Sequence, residues 1–282
     1  MFIVYKVKKQ IYSLVLYVVT GFTCVIVAFP FYWLLITSIK HGKHIFTFPP
    51  IFIPLSVSIQ SYVDIFQITG ILPFFVNSCL ISLSSVVLAV FIGSMAAYSL
   101  AKTYLSSRVR IALIVFVLLC KMFPSITLII PYFIIVKSVG LLDTRIALII
   151  TYVAHCLPFT IWLMIGFFQD ISASIEEAAI MEGCSFWQRF FQVVLPLVLP
   201  GLVVTAVFTF MLAWNEFLYA SILTSFKAKT LPVVIGTFVG DQYLQWDKMS
   251  AMGALMVLPV IIFASFIQRY LIRGMTFGAV KG

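Results

Sequence analysis

Few side chains in this chain are suited to chemistry, and those that are sit among apolar residues. Asn77, Lys121, His155, Asn215 and Glu216 fall inside long hydrophobic runs. There an ionised group costs roughly 2.5–3.5 kcal/mol on insertion scales, so it faces a cavity or a partner. Lys121 stands eleven residues after Arg110, about halfway across a bilayer at roughly 1.5 Å per residue. Glu216, twenty residues after Pro196, lies closer to the outer face. The chemistry open to these groups is recognition of a hydroxyl-rich solute. Amides and charges bond hydroxyls, and aromatic faces such as Trp214 or Tyr219 stack on sugar rings. The same residues could equally serve packing: Asn215 and Glu216 bonding neighbouring helices, Lys121 snorkelling, His155 bridging two helices. Lys121 and Glu216 differ in depth and are not read as a pair.

Nothing is placed for catalysis. None of the three histidines stands at helical spacing from a carboxylate pair that could hold a metal. There is no GxSxG nucleophile turn and no carboxylate pair set for acid–base work. There is also no GxxxxGK[ST] phosphate cradle, so any ATP hydrolysis driving this chain requires another polypeptide. The cysteines, at 24, 79, 120, 156 and 184, show no CxxC or Cys/His metal spacing and read as small packing residues.

Three of the nine acidic residues, Glu176, Glu177 and Glu182, crowd into one polar interruption, Ser174–Pro196. Ser174 with Glu177 and Ser185 with Gln188 each have the capping-box pattern. Gly183 supplies a left-handed helix end, and Pro196 stops the second helix. The first helix carries a small, flat stripe of Ile175, Ala178 and Ala179. The second has Phe186, Trp187, Phe190, Phe191 and Val194 on one side and Gln188, Arg189 and Gln192 on the other. Two short helices of this kind either dock a partner or lie on the membrane surface.

The elements that must position these groups are membrane helices. The 282 residues are 63% hydrophobic and 10% charged, with mean hydropathy +1.16. Soluble domains carry about 25% charge, so a water-soluble globule is excluded. The net charge of +9 comes from basic residues scattered singly, which sets topology and makes no nucleic-acid face. Six apolar runs are long enough to span: Ile11–Ile39, Phe74–Ala101, Ile111–Val136, Ile146–Phe168, Leu197–Leu223 and Met249–Leu271. The first has a basic flank but is too long for a signal peptide. Between the first two, Pro49, Pro50 and Pro54 break the chain, and Tyr62–Phe66 reads as a short helix outside the membrane. With the N-terminus inside, ten basic residues fall on the cytoplasmic side against seven opposite, which places both termini and the Ser174–Pro196 loop in the cytoplasm. The expected fold is all-α: a single polytopic domain of six spans with one cytoplasmic helical loop.

Glu177-Ala178-Ala179, Gly183 after three residues and Leu195-Pro196 after eleven more resemble the EAA signature of membrane subunits in binding-protein-dependent ATP-binding-cassette (ABC) importers. Pro158-Phe159, Trp162 and Phe167-Phe168 upstream extend the likeness, as do Trp214–Phe217 downstream and the tail Arg269–Gly282. Together they resemble carbohydrate-uptake permeases of the maltose-transporter (MalG-like) type over nearly the whole chain. Glu182 and Cys184 depart from the usual Asp and Ala around the glycine. The resemblance implies a plasma-membrane permease that pairs with a second permease and with two ATPase subunits holding ATP and Mg. It has no cofactor of its own and receives a sugar from an extracytoplasmic solute-binding protein. It further implies that Glu177, Ala178, Ala179, Gly183, Phe186, Leu195 and Pro196 couple to the ATPase. The pathway set is Asn77, Lys121, Trp214, Asn215 and Glu216, and the tail from Gly274 is a second ATPase contact. The competing reading is an ion-gradient-driven transporter, for which Glu216 is the one intramembrane carboxylate.

Overall fold

In hydrocarbon every backbone amide must be satisfied within the chain, so apolar runs of this length fold as helices. The computed structural model describes residues 2–54, 56–102, 106–238 and 244–277, with side chains from Lys8 to Phe266, and contains no strand among them. In order the helices are α1 (Phe2–Ser38), α2 (Gln60–Gln67), α3 (Leu72–Lys102), α4 (Ser107–Met122), α5 (Ser125–Ser138), α6 (Arg145–Gln169), α7 (Ala173–Met181), α8 (Phe186–Leu197), α9 (Leu199–Trp214), α10 (Leu218–Leu223), α11 (Leu231–Gly236) and α12 (Trp246–Phe277). Four of them (α1, α3, α6 and α12) are long and apolar enough to cross a membrane. Counting each of two bent pairs, α4 with α5 and α8 with α9, as one span gives six.

Two of the expected spans are therefore not continuous helices. Ile111–Val136 is broken at Phe123–Pro124, and α4 and α5 meet at 90°. A proline forces its predecessor out of the helical region, and Phe123 is extended at φ −63°, ψ 127°. Leu197–Leu223 is likewise interrupted between α9 and α10 at Asn215–Phe217.

The chain divides into two compact units. In the first (residues 1–70 and 237–257), α2 is tied to the start of α12. Ser61 donates to Asp247 at 3.1 Å and Lys248 pairs with Asp64 at 3.3 Å. From Lys8 to Phe31 almost every side chain of α1 is exposed.

The second unit (residues 71–236 and 258–282) holds α3 to α11, and its core lies between α3, α6 and α9. Close approach is built in at Gly93, where an added Cβ would meet Thr160 Cγ2 at 2.7 Å. Thr160 in turn shares a 3.1 Å hydrogen bond with Thr209 of α9, a small-residue contact of the kind that lets membrane helices pack tightly.

Candidate functional site

The loop joining α6 to α9 begins with α7, whose end is dictated locally. Gly183 takes φ +81°, Cys184 N–H donates to Ala179 O and Gly183 N–H to Ile180 O. That pair of bonds is the Schellman closure, and the left-handed residue is the one glycine adopts without penalty. The Ser185–Gln188 capping box forms with both hydrogen bonds, at 2.8 and 3.3 Å.

The Ser174–Glu177 box does not form. α7 starts earlier, with Ser172 at the N-cap making no side-chain cap bond and its hydroxyl paired with that of Ser174 at 2.8 Å. The second helix does not stop at Pro196 either. It runs to Leu197 through a π-helical stretch, Arg189–Val194, and turns 80° into α9 at Val198. The wider π turn relieves the clash a proline ring makes with an α-helical backbone.

The faces differ from those expected. Ala178 is exposed but Ala179 is buried, so the alanines do not share one stripe. On α8, Phe190 and Val194 are buried, whereas Phe186, Trp187 and Phe191 are exposed and the last two rings stack at 6.0 Å. The π stretch shifts the period, and the aromatics divide between an inner and an outer face. The outward face includes Ile175, Glu177, Ala178, Ile180, Met181, Phe186, Trp187 and Phe191.

Inward, the loop is held by one of the three carboxylates crowded into this interruption. Glu176, 8% exposed, accepts from Tyr98 Oη at 2.9 Å. Its other oxygen has no hydrogen bond and is met by the Lys102 ammonium at 3.3 Å. Lys102 also donates to Ile171 O at 2.6 Å. The Tyr98 ring touches Phe168, Phe186 and Phe190 with centroids 5.3–5.6 Å away.

The pathway candidates separate. Two clefts of about 620 and 480 Å³ share Ser125 and His155. Asn215 and Glu216 line the first, Lys121, Tyr132 and Tyr219 the second, with Phe159 and Phe116 among the apolar walls. Both helix breaks open here, as α5 begins at Ser125 and α10 follows Glu216. Glu216 nevertheless spends its carboxylate on the backbone, accepting from Tyr219 N–H at 2.8 Å and Ala220 N–H at 3.2 Å. Trp214 is 1% exposed between Phe210 and Phe75. His155, one of the polar candidates, lines both clefts; Ser125 and Tyr132 were missed, because helical periodicity does not reveal which polar side chains face one cleft.

Asn77 lines neither of these two clefts. It donates to Lys227 O and Lys229 O at 2.8 and 2.9 Å and accepts from Arg145 Nε at 2.7 Å. Asp143, at φ 57°, grips the same segment by accepting from the amides of Ser225, Phe226, Lys227 and Ala228. Burial pushes its pKa up, but the four amides together hold it below the usual 3.8. Its contribution is therefore present at neutral pH and is lost as pH falls through that depressed value. Asp143→Ala should speed amide exchange at residues 225–228 roughly tenfold at neutral pH, as expected for losing charge-assisted bonds. Unchanged exchange would show the loop to be held by Asn77 alone. Asn77 stands near the start of α3 and Lys102 at its end, so the two fastenings lie about 35–40 Å apart at roughly 1.5 Å per residue, slightly more than a hydrocarbon core.

The family model described as "Binding-protein-dependent transport system inner membrane component" matches residues 89–277. A probable ABC transporter permease protein of Sinorhizobium fredii is 39% identical over 265 residues, covering 93% of this chain and 94% of that protein. The trehalose transport system permease protein of Mycobacterium tuberculosis is 39% identical over 249 residues, covering 87% of each. Among solved structures, a bacterial ABC transporter involved in import of the acidic polysaccharide alginate contains a chain with the same fold. The TM-score is 0.76 at 24% identity, covering 93% of this chain and 96% of that one.

Proposed function

We propose, given that the chain belongs to the binding-protein-dependent transport system inner membrane component family, that it is the sugar-conducting permease subunit of an ABC importer. As a member of that family it is a multi-pass protein of the plasma membrane. The sugar assignment draws support from the relative named as a trehalose permease.

The observation that carries the proposal is the α7–α8 loop. Its α8 stands 80° across α9, its inner residues are locked into the bundle, and its outer residues form a mixed aromatic, methyl and carboxylate face. A groove on one ATPase subunit receives that face. ATP and Mg reside on two such subunits, and this chain contributes no nucleotide site. Closure of the ATPases moves α7 and α8 as one body, because the Schellman end and the capping box leave little freedom between them. A second permease chain completes the pathway around the Lys121–His155–Asn215 cleft. The solute-binding protein docks at the opposite end, where Asp143 and Asn77 fix residues 225–229. Both termini and the α7–α8 loop are cytoplasmic in this arrangement. The tail from Gly274 adds a smaller ATPase contact; its residues 278–282 lie outside the described residues, as do the side chains before them. Commitment of the Glu216 carboxylate to two amides gives no support to the ion-driven alternative.

A mild-detergent pull-down from native membranes, with mass spectrometry and ATPase assay of the eluate, tests the proposal. Co-elution of a second permease, an ATPase and a sugar-binding protein is the expected result. A chain that elutes alone and without ATPase activity overturns it.

A further inference from the structure

Docking accounts for the outer face of α7 but not for its inner one. Among the described residues only two of the helix's side chains are buried, Glu176 and Ala179, and Glu176 is the only one long enough to reach another element. It reaches α3 twice, through Tyr98 Oη at 2.9 Å and Lys102 Nζ at 3.3 Å. Lys102 also grips Ile171 O, in the turn that delivers the chain into α7, at 2.6 Å. The Glu176 and Lys102 side chains are 11% and 15% exposed, so water screens the pair little.

From this geometry we infer that Tyr98, Glu176 and Lys102 form a strut that transmits the displacement of α7 to α3. The strut rests on the docking reading given above. Apolar contact alone would let α7 slide over α3. One carboxylate, hydrogen-bonded through one oxygen and ion-paired through the other to side chains one helical turn apart on α3, fixes position against sliding, and fixing register is the best-attested use of a buried ion pair. The Tyr98 ring, packed on Phe186 and Phe190, ties α8 to the same point. The onward route is also rigid. α3 meets α6 at the Gly93–Thr160 contact, and on α6 the residue just before Thr160, Phe159, and His155 a little over one turn earlier wall the cleft. Motion at the loop therefore reaches the pathway through α3 as well as along the covalent chain through α6 and α9. These are positioning residues; none touches solute.

The test is made in the whole transporter, reconstituted in vesicles, reading sugar uptake per ATP hydrolysed beside ATPase co-purification. Tyr98→Phe removes one oxygen and keeps the ring. Glu176→Met with Lys102→Met keeps packing volume while removing the charges, an exchange a purely structural pair tolerates. Both should retain the ATPases and still hydrolyse ATP, while uptake per ATP falls about tenfold. The charge swap Glu176→Lys with Lys102→Glu should recover most of the loss. Wild-type uptake per ATP in both variants overturns the strut. If a variant fails to assemble, the swap decides: a swapped transporter that assembles but stays uncoupled also overturns it. A wild-type chain that does not hold ATPase subunits removes the docking premise instead, a result the co-purification column shows separately.

Discussion

Sugar uptake by an Ala179→Asp variant should fall at least about 100-fold. Ala179 is 6% exposed and lies three residues from buried Glu176. At that spacing Cβ atoms are about 5–6 Å apart. A second carboxylate would share one site with Glu176, whose ion-pair partner is the single Lys102 ammonium. Leaving a buried charge uncompensated costs about 3–5 kcal/mol, more than a nine-residue helix can recover from its own hydrogen bonds. α7 should lift from α3, and both thermal stability and ATPase association should drop. Ala178→Asp puts the same group on the exposed face. It should leave the melting temperature of the isolated chain within a few degrees of wild type while weakening ATPase co-purification. Equal behaviour of the two variants would contradict the division of α7 into an inner and an outer face.

The second large effect is expected at Glu216, where structure and ion coupling predict opposite outcomes. Its oxygens serve the amides of Tyr219 and Ala220 at the start of α10, groups that have no helical partner. Glu216→Leu strands two donors in an apolar setting at about 1–3 kcal/mol each, so expression and uptake should both collapse. Glu216→Gln keeps an acceptor and the side-chain shape and should retain a substantial fraction of uptake. An ion-coupling carboxylate would instead be as damaged by Gln as by Leu. Uptake measured at matched expression distinguishes the two.

What the sequence made legible was local. Gly183 and the Ser185–Gln188 pair act through hydrogen bonds within a few residues, and both are found where their patterns place them. The α4–α5 break at Pro124 follows a rule that needs only its neighbour, yet the hydropathy of Ile111–Val136 reads as one span. No proline or glycine announces the break at Asn215–Phe217, which depends on a carboxylate folding back onto amides ahead of it. Partners distant in sequence were out of reach. Asn77 reads as a pathway amide because it is polar in an apolar run, yet its acceptors lie 150 and 152 residues on. Glu176 and Glu177 are adjacent and chemically identical. Only the position of Tyr98, 78 residues earlier, decides which of them is buried. The π stretch, which exposes Trp187 and Phe191 while burying Phe190, breaks the 3.6-residue period on which amphipathic patterns depend.

The proposed seating of the exposed face of α7 on an ATPase subunit is measured most directly by cross-linking. Single cysteines at Ala178 or Met181, in a chain whose native cysteines are replaced, would be treated in native membranes with a short bifunctional reagent, with and without ATP. The expected result is one adduct whose mass matches this chain plus an ATPase subunit, changing in yield on ATP addition. A cysteine placed at buried Ala179 should give none. If Ala178 and Met181 form no adduct with an ATPase, or Ala179 reacts as well as they do, the α7–α8 loop is not the docking element.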